Sequence, residues 1–195
     1  MSDQSASRRG PKRNEHARSA ILSAAFQLTQ EVGFGGLTIE GIATRAGVGK
    51  QTVYRWWPTK ADVLLEAGAS KADLSVSHDD HGTFRDDIEH FLRDSLRLLA
   101  VPGIADTLRS LMAESQVNPE FAQRFREGFL NRRREALIEI VDRAAARGDF
   151  PGHLSAELVA DIVFGVIWYR ILATERLMVD DDVRALLDLL APEPV

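Results

Sequence analysis

The stretch GVGKQTVYRWWPTK, residues 47–60, gathers two of the chain's three tryptophans, one of its two tyrosines, an arginine and two lysines into one short span. It opens on a glycine and is interrupted near its end by Pro58. On a helical wheel of about 100° per residue, Val53 and Trp57 fall on one side, with Gln51 and Arg55 opposite. Lys50 and Tyr54 flank one edge; Thr52 and Trp56 flank the other. A short helix so patterned buries an aliphatic–aromatic stripe and turns Gln, Arg, Tyr and Lys outward. These outward groups suit a DNA major groove, where Arg pairs with guanine, Gln with adenine, and a Thr methyl packs on thymine. Tyr54, the Lys60 ammonium and the Trp56 indole N–H suit phosphate oxygens, which position a helix without reading sequence.

The flanking sequence supplies the partners such a helix needs. From Arg18 onward Ile21, Ala24, Ala25, Leu28 and Val32 recur at helical spacing, and Gly33 is a natural stop. Thr38 is an N-cap for a short second helix ending near Ala46. Gly47 can take the positive φ of a tight turn, and Ala43 is small where two helices must approach. The third helix then runs to Trp57, and Thr59 caps a fourth that continues to Ala72. Short helices joined by a tight glycine turn form a helix-turn-helix.

The segment LTIEGIATRAGVGKQTVYRWWPTKADVL resembles the DNA-binding segment of the tetracycline-repressor family. That family reads T-hydrophobic-x-x-I-A-x-x-A-G-V-S-x-x-T-hydrophobic-Y-x-(His/aromatic)-aromatic-x-x-K. Thr38, Ile42, Ala43, Ala46, Gly47, Val48, Thr52, Tyr54, Trp57 and Lys60 occupy the matching positions, with Gly49 where Ser is frequent and Trp56 where His or Tyr often touches phosphate. The resemblance implies a sequence-specific transcriptional regulator, a repressor in function, with Thr38, Lys50, Gln51, Thr52, Tyr54, Arg55, Trp56 and Lys60 at the DNA. It further implies a divergent C-terminal domain that forms a homodimer and binds a small-molecule inducer.

Composition agrees with a reducing, cytoplasmic setting: cysteine is absent, so neither a disulfide framework nor a thiolate metal site can form. No long apolar run suggests a membrane span, and the N-terminus is polar. Charge is split unevenly. Residues 1–60 hold nine Lys/Arg against four Asp/Glu, or +5; residues 61–195 hold fifteen against twenty-five, or −10. A basic piece facing a polyanion and an acidic remainder facing something else follow from that split. The expected organisation is a flexible basic arm over residues 1–13, carrying Arg8, Arg9, Lys12 and Arg13. A helix-turn-helix domain follows over 14–60, and a larger helical domain over 61–195.

Beyond the polar loop SVSHDDHGT only helices are expected: Phe84 to Leu99, Ile104 to Ser115, Pro119 to Arg147, Ser155 to Val179 and Asp181 to Leu190. The fold class is all-α. The segment from Ser155 is apolar nearly all round, so it must be buried on several sides. Leu158, Ile162, Gly165, Val166 and Tyr169 form one seam; Val159, Val163 and Ile167 form a second. With Val183, Leu186, Leu187 and Leu190 the first seam could build a four-helix interface with a second copy. The same pattern would serve a core helix of one chain. Phe91, Leu111, Met112, Phe129 and Trp168 are candidate walls of a pocket for a lipophilic ligand, and equally candidates for ordinary core.

Rival functions have weaker footing. The HDDH cluster, His78 to His81, with His90, offers metal-ligand types for a hydrolase, but it sits in a Ser/Asp/Gly loop. H-E-x-x-H, P-loop and G-x-S-x-G motifs are all missing. No cofactor is called for. NRRRE, residues 131–135, reads as the wet face of a long helix. A helical protein-interaction scaffold without DNA binding is the remaining alternative.

Overall fold

The computed structural model describes the backbone of residues 10–174 and 176–192, with side chains from Asn14 onward. It is all-helical, with no strand among the described residues. The helices are α1 (Gly10–Gly36), α2 (Ile39–Ala46), α3 (Lys50–Tyr54), α4 (Lys60–Ser75), α5 (Phe84–Leu99), α6 (Ile104–Val117), α7 (Pro119–Phe125), α8 (Asn131–Arg147), α9 (Ala156–Tyr169) and α10 (Asp180–Leu190). Two π-helical turns, Arg126–Leu130 and Arg170–Thr174, continue α7 into α8 and extend α9.

Local chemistry sets several boundaries. Gly33 breaks the regular path of α1 at φ 68°, as its position at the end of the apolar repeat predicts. The described backbone is helical from Gly10, so residues 10–13 belong to α1, which corrects the expectation of an arm reaching Arg13. Arg8 and Arg9 lie outside the described residues. At the start of α4 the Thr59 hydroxyl accepts from the Asp62 N–H, and the Asp62 carboxylate accepts from the Thr59 N–H at 3.1 Å. This reciprocal pair satisfies donors that a helix start leaves open.

α1, α2 and α3 pack together, and α4 leads from them into the remaining helices. One continuous buried cluster runs from Ile21 through Val53, Trp57 and Leu64 to Phe91, Leu137, Val163 and Leu190. The expected single helix over Pro119–Arg147 is interrupted by the first π turn, and the expected helix to Val179 ends at Thr174. There the Thr174 hydroxyl donates to the Arg170 carbonyl at 3.0 Å, a local bond that competes with helix continuation.

α10 lies on α5 of its own chain, which corrects part of the expected dimer seam. Val183, Leu186, Leu187 and Leu190 are all buried within the chain and are not available to a second copy. Arg85 fixes this packing by donating to the Asp188 carboxylate (2.7 Å) and the Ala191 carbonyl (2.6 Å), and Arg93 pairs with Asp180 at 2.9 Å.

Candidate nucleic-acid interface and the cavity behind it

The turn between α2 and α3 forms as its residues dictate. Thr38 accepts from the Gly41 N–H at 3.0 Å and starts α2. Gly47 adopts φ 67°, which lets the Val48 N–H reach back to the Ala43 carbonyl at 3.0 Å. Gly49 precedes α3 and provides no side-chain cap. Helix α3 is instead held from beneath: Val53 and Trp57 are buried, and the Trp57 indole N–H donates to Glu66 at 3.0 Å. Glu66 also pairs with Arg18 at 2.8 Å, tying α1, the end of the recognition segment and α4 together.

This anchorage leaves Lys50, Gln51, Tyr54 and Arg55 exposed on one short element, with Thr52 and Trp56 half-buried at its edges. The Arg55 guanidinium lies over the Trp56 ring, 5.1 Å from its centroid, and has no carboxylate partner among the described residues. Lys50 approaches Glu40 at 3.6 Å, an exposed pair that contributes little and can open readily. Glu40 also sits in the first turn of α2, where a negative charge favours the helix dipole. Arg45 forms a two-point pair with Glu31.

Lys60 has partners within its own chain. Its ammonium donates to the carbonyls of Phe34 (2.7 Å) and Leu37 (2.9 Å) and lies over the Phe34 ring. Two of its three donors thus serve carbonyls at and just beyond the end of α1, a structural role that the sequence reading did not include.

Among the helices that follow, a cavity of about 220 Å³ opens between α4, α5, α6, α8 and α9. Phe129 and Trp168 line it, as the sequence suggests. Phe91 and Leu111 do not: both are fully buried in the core, Phe91 one layer behind Phe164. Met112 is half-buried beside Ser115 and Gln116, also away from the cavity. The remaining walls include Leu98, Leu99, Phe164 and Ile171. Both π turns contribute, Phe129 and Leu130 from one and Ile171 from the other. Such turns change the direction of side chains within a helix and are frequent at functional sites.

Arg133 is the wall residue that the sequence reading missed. Within NRRRE it was expected on a wet face, yet it is only 8% exposed. Its spacing to Leu137 and Ile140 carries the signal, because positions i, i+4 and i+7 share one face of a helix.

The α9 seam divides as its all-round apolarity demands. Val159 and Val163 are core, while Phe164, Ile167 and Trp168 line the cavity, Ile167 being buried as well. Leu158, Gly165 and Tyr169 are exposed, and Ile162 and Val166 are half-buried beside them.

The HDDH loop is organised by ordinary polar contacts. His81 stacks on His90 with ring centroids 3.8 Å apart, and Asp80 pairs with Arg147 at 2.7 Å. Among the described residues no three His, Asp or Glu side chains converge as metal ligands. No described helix is long and apolar enough to cross a membrane.

A buried-stripe helix set behind a glycine turn, presenting Arg, Gln, Tyr and Lys, defines a helix-turn-helix DNA-binding regulator. Comparison with known proteins gives the family. Residues 21–67 match the model of the bacterial regulatory proteins, tetR family, and residues 78–190 match the tetracyclin repressor-like C-terminal domain. The HTH-type transcriptional regulator YdeS of Bacillus subtilis is 32% identical over 180 residues, covering 92% of this chain and 90% of that protein. The TetR-family transcription regulator SCO0332 superimposes with a TM-score of 0.79 at 25% identity, over 92% of this chain and 100% of that one. FadR of Bacillus subtilis, solved in complex with stearoyl-CoA, gives a TM-score of 0.71 at 20% identity, over 91% and 99% of the two chains. The chain belongs to the TetR family of transcriptional regulators. That family and these relatives are regulators of transcription, not enzymes.

Proposed function

We propose that the protein is a repressor that binds a pseudopalindromic operator as a homodimer and releases it when a small lipophilic ligand enters the C-terminal cavity. The carrying observation is the exposed set Gln51, Tyr54 and Arg55 on a helix whose other face, Val53 and Trp57, is buried. Arg55 and Gln51 are the base readers, with the Thr52 methyl beside them; Tyr54, Lys50, Thr38 and Trp56 border the backbone. The apolar cavity supports the ligand reading, and FadR offers a structural parallel in its stearoyl-CoA complex. The exposed strip of Leu158 and Tyr169 (65% exposed) on α9 and Leu172 on the π turn that extends it supports the homodimer, since such a strip marks an interaction surface. The protein would act in the cytoplasm, where its DNA is.

Selection of bound duplexes from a random pool tests this reading. Enrichment of paired half-sites whose centres lie about 34–36 Å apart, or a multiple of that, is the expected result. Retention of all duplexes alike, or of none, would overturn it.

A further inference from the structure

The cavity is apolar apart from a few groups, and one of these is out of place. Arg133 extends from α8 into its wall and is more than nine-tenths buried. Its Nη2 is buried with no hydrogen-bond partner, and no carboxylate pairs with the guanidinium among the described residues. Asp73, whose charge acts on Arg133 without touching it, is engaged by Arg132 at 2.6 Å. What faces Arg133 instead is the ring of Phe91, 5.2 Å from Cζ. A ring face attracts a cation but leaves guanidinium N–H donors without acceptors. Burial pulls the Arg133 pKa below its ordinary value, outweighing the attraction of Asp73. The group still stays charged, because an arginine does not lose its proton in a protein. An uncompensated cation in such a place is costly unless something else supplies the anion.

The chemistry of the other walls limits what that anion can be attached to. Phe129, Phe164, Trp168, Leu98 and Ile171 enclose an apolar volume, and the Ser95 hydroxyl already donates to the Phe91 carbonyl at 2.7 Å. Arg134, also at the wall, is held by Asp161 and the Glu157 carbonyl. Arg133 is thus the wall cation that no acid of the chain neutralises among the described residues.

We propose that the effector is an amphipathic carboxylate: an apolar body against Phe129, Phe164 and Trp168, with its carboxylate on the Arg133 guanidinium. The proposal rests on the reading of this cavity as the effector site. A planar carboxylate matches the guanidinium fork at two points, which a neutral head group cannot do. The charge that is a liability in the empty protein becomes the source of selectivity in the filled one.

Calorimetric titration of the full-length protein tests this with decanoate and phenylbutyrate, each beside the alcohol of the same skeleton. At least one acid should bind tenfold or more tightly than its alcohol. In Arg133→Met the acid should lose at least tenfold and the alcohol should not weaken. The unliganded variant should unfold at the same temperature as the parent or higher, since a buried unpaired charge is gone. Arg133→Gln, which keeps a polar head, should give the same loss of acid preference and covers the case in which Met perturbs folding. Equal affinity for acid and alcohol, undiminished acid binding in both variants, or no binding of either acid would overturn the proposal. Operator binding is read separately. If an acid binds through Arg133 yet leaves operator affinity unchanged, the regulatory reading fails and the carboxylate assignment stands.

Discussion

Arg124 donates from Nε to Asp62 Oδ1 across 2.6 Å, with a second, longer contact from Nη2 to Oδ2 at 3.3 Å. Asp62 is buried and closes the first turn of α4, immediately after the recognition segment. Arg124 stands on α7, beside Phe125. That ring stacks on Phe129 at 5.8 Å and meets Trp168 edge-on at 6.3 Å, both cavity walls. A contiguous set of packed groups therefore joins the cavity to the base of the DNA-reading unit. Contiguity alone does not establish coupling, and a double-mutant cycle supplies the measurement.

Removing Arg124 should leave the Asp62 carboxylate buried with only the Thr59 contacts. Arg124→Ala is expected to lower unfolding stability by roughly 1–3 kcal/mol, at the lower end because the guanidinium is about a third exposed. Combined with Asp62→Asn, the cycle should give a coupling energy of about 0.5–3 kcal/mol in denaturant unfolding. Strict additivity would show that the pair contributes no interaction energy of its own to the fold.

Reading and support should separate at the DNA-facing element. Arg55→Ala and Gln51→Ala are each expected to cost about 1–3 kcal/mol in operator binding and to relax preference at particular base pairs. Lys60→Met should behave otherwise, because its ammonium holds the carbonyls of Phe34 and Leu37. It should lower stability by about 1–3 kcal/mol and leave the salt dependence of DNA binding unchanged. Binding isotherms at several salt concentrations, with thermal unfolding alongside, check both; a flatter salt slope in Lys60→Met would show that it contacts phosphate as well.

The recognition unit was legible because local rules decide it. Thr38, Gly47 and Thr59 cap or turn the chain within a few residues of themselves, and Val53 and Trp57 follow one helical stripe. The backbone contacts of Lys60 were not, since Phe34 and Leu37 lie at and just beyond the end of α1, more than twenty residues away, and no local pattern announces them. The same holds for α10. Val183, Leu186, Leu187 and Leu190 are plainly an apolar stripe, but whether it meets α5 or a second copy is a tertiary matter. The π turns also escaped the sequence, because an extra residue in a helical turn leaves composition and periodicity nearly intact. Phe129 and Ile171 lie within these turns and line the cavity, whereas Phe91 and Leu111, on the regular helices α5 and α6, stay in the core.

Acid should weaken the fold through a second buried carboxylate, Asp87. Burial alone would push its pKa up; the His81 N–H at 2.6 Å, Arg147 at 2.9 Å and Arg143 at 3.3 Å outweigh burial and hold it below the ordinary carboxylate value. Asp149, which accepts from the Phe84 N–H and pairs with Arg147, is lowered for similar reasons against its own desolvation. A lowered folded-state pKa means that the contribution is complete above the unfolded value, about 3.9. It is then lost as pH falls through the folded value. Asp87→Ala should cost about 1–3 kcal/mol near neutrality, because Arg143 and the His81 N–H lose a charged acceptor while Arg147 keeps Asp80 and Asp149. Asp87→Asn should flatten the acid limb of the stability profile, measured by denaturant unfolding from neutral pH downward. An acid limb of unchanged steepness would assign the loss to other groups.

The homodimer prediction turns on Gly165. It sits inside α9 on the exposed strip between Leu158 and Tyr169, and a Cβ built there meets nothing within 4 Å in its own chain. A glycine in a helix interior costs about 1 kcal/mol relative to alanine, so within one chain Gly165→Ala should be neutral or stabilising. A second copy packed on the strip changes that expectation, because a small residue allows close approach there. Gly165→Arg would place a bulky charge in the contact while leaving the chain's own core, Val159, Val163 and Ile167, untouched. Sedimentation should then find this variant monomeric and folded, with near-parental helicity by circular dichroism. Its affinity for a paired operator should fall far more than its affinity for an isolated half-site, because the two recognition helices are no longer joined. A Gly165→Arg protein that stays dimeric and binds the paired site normally would move the interface away from α9.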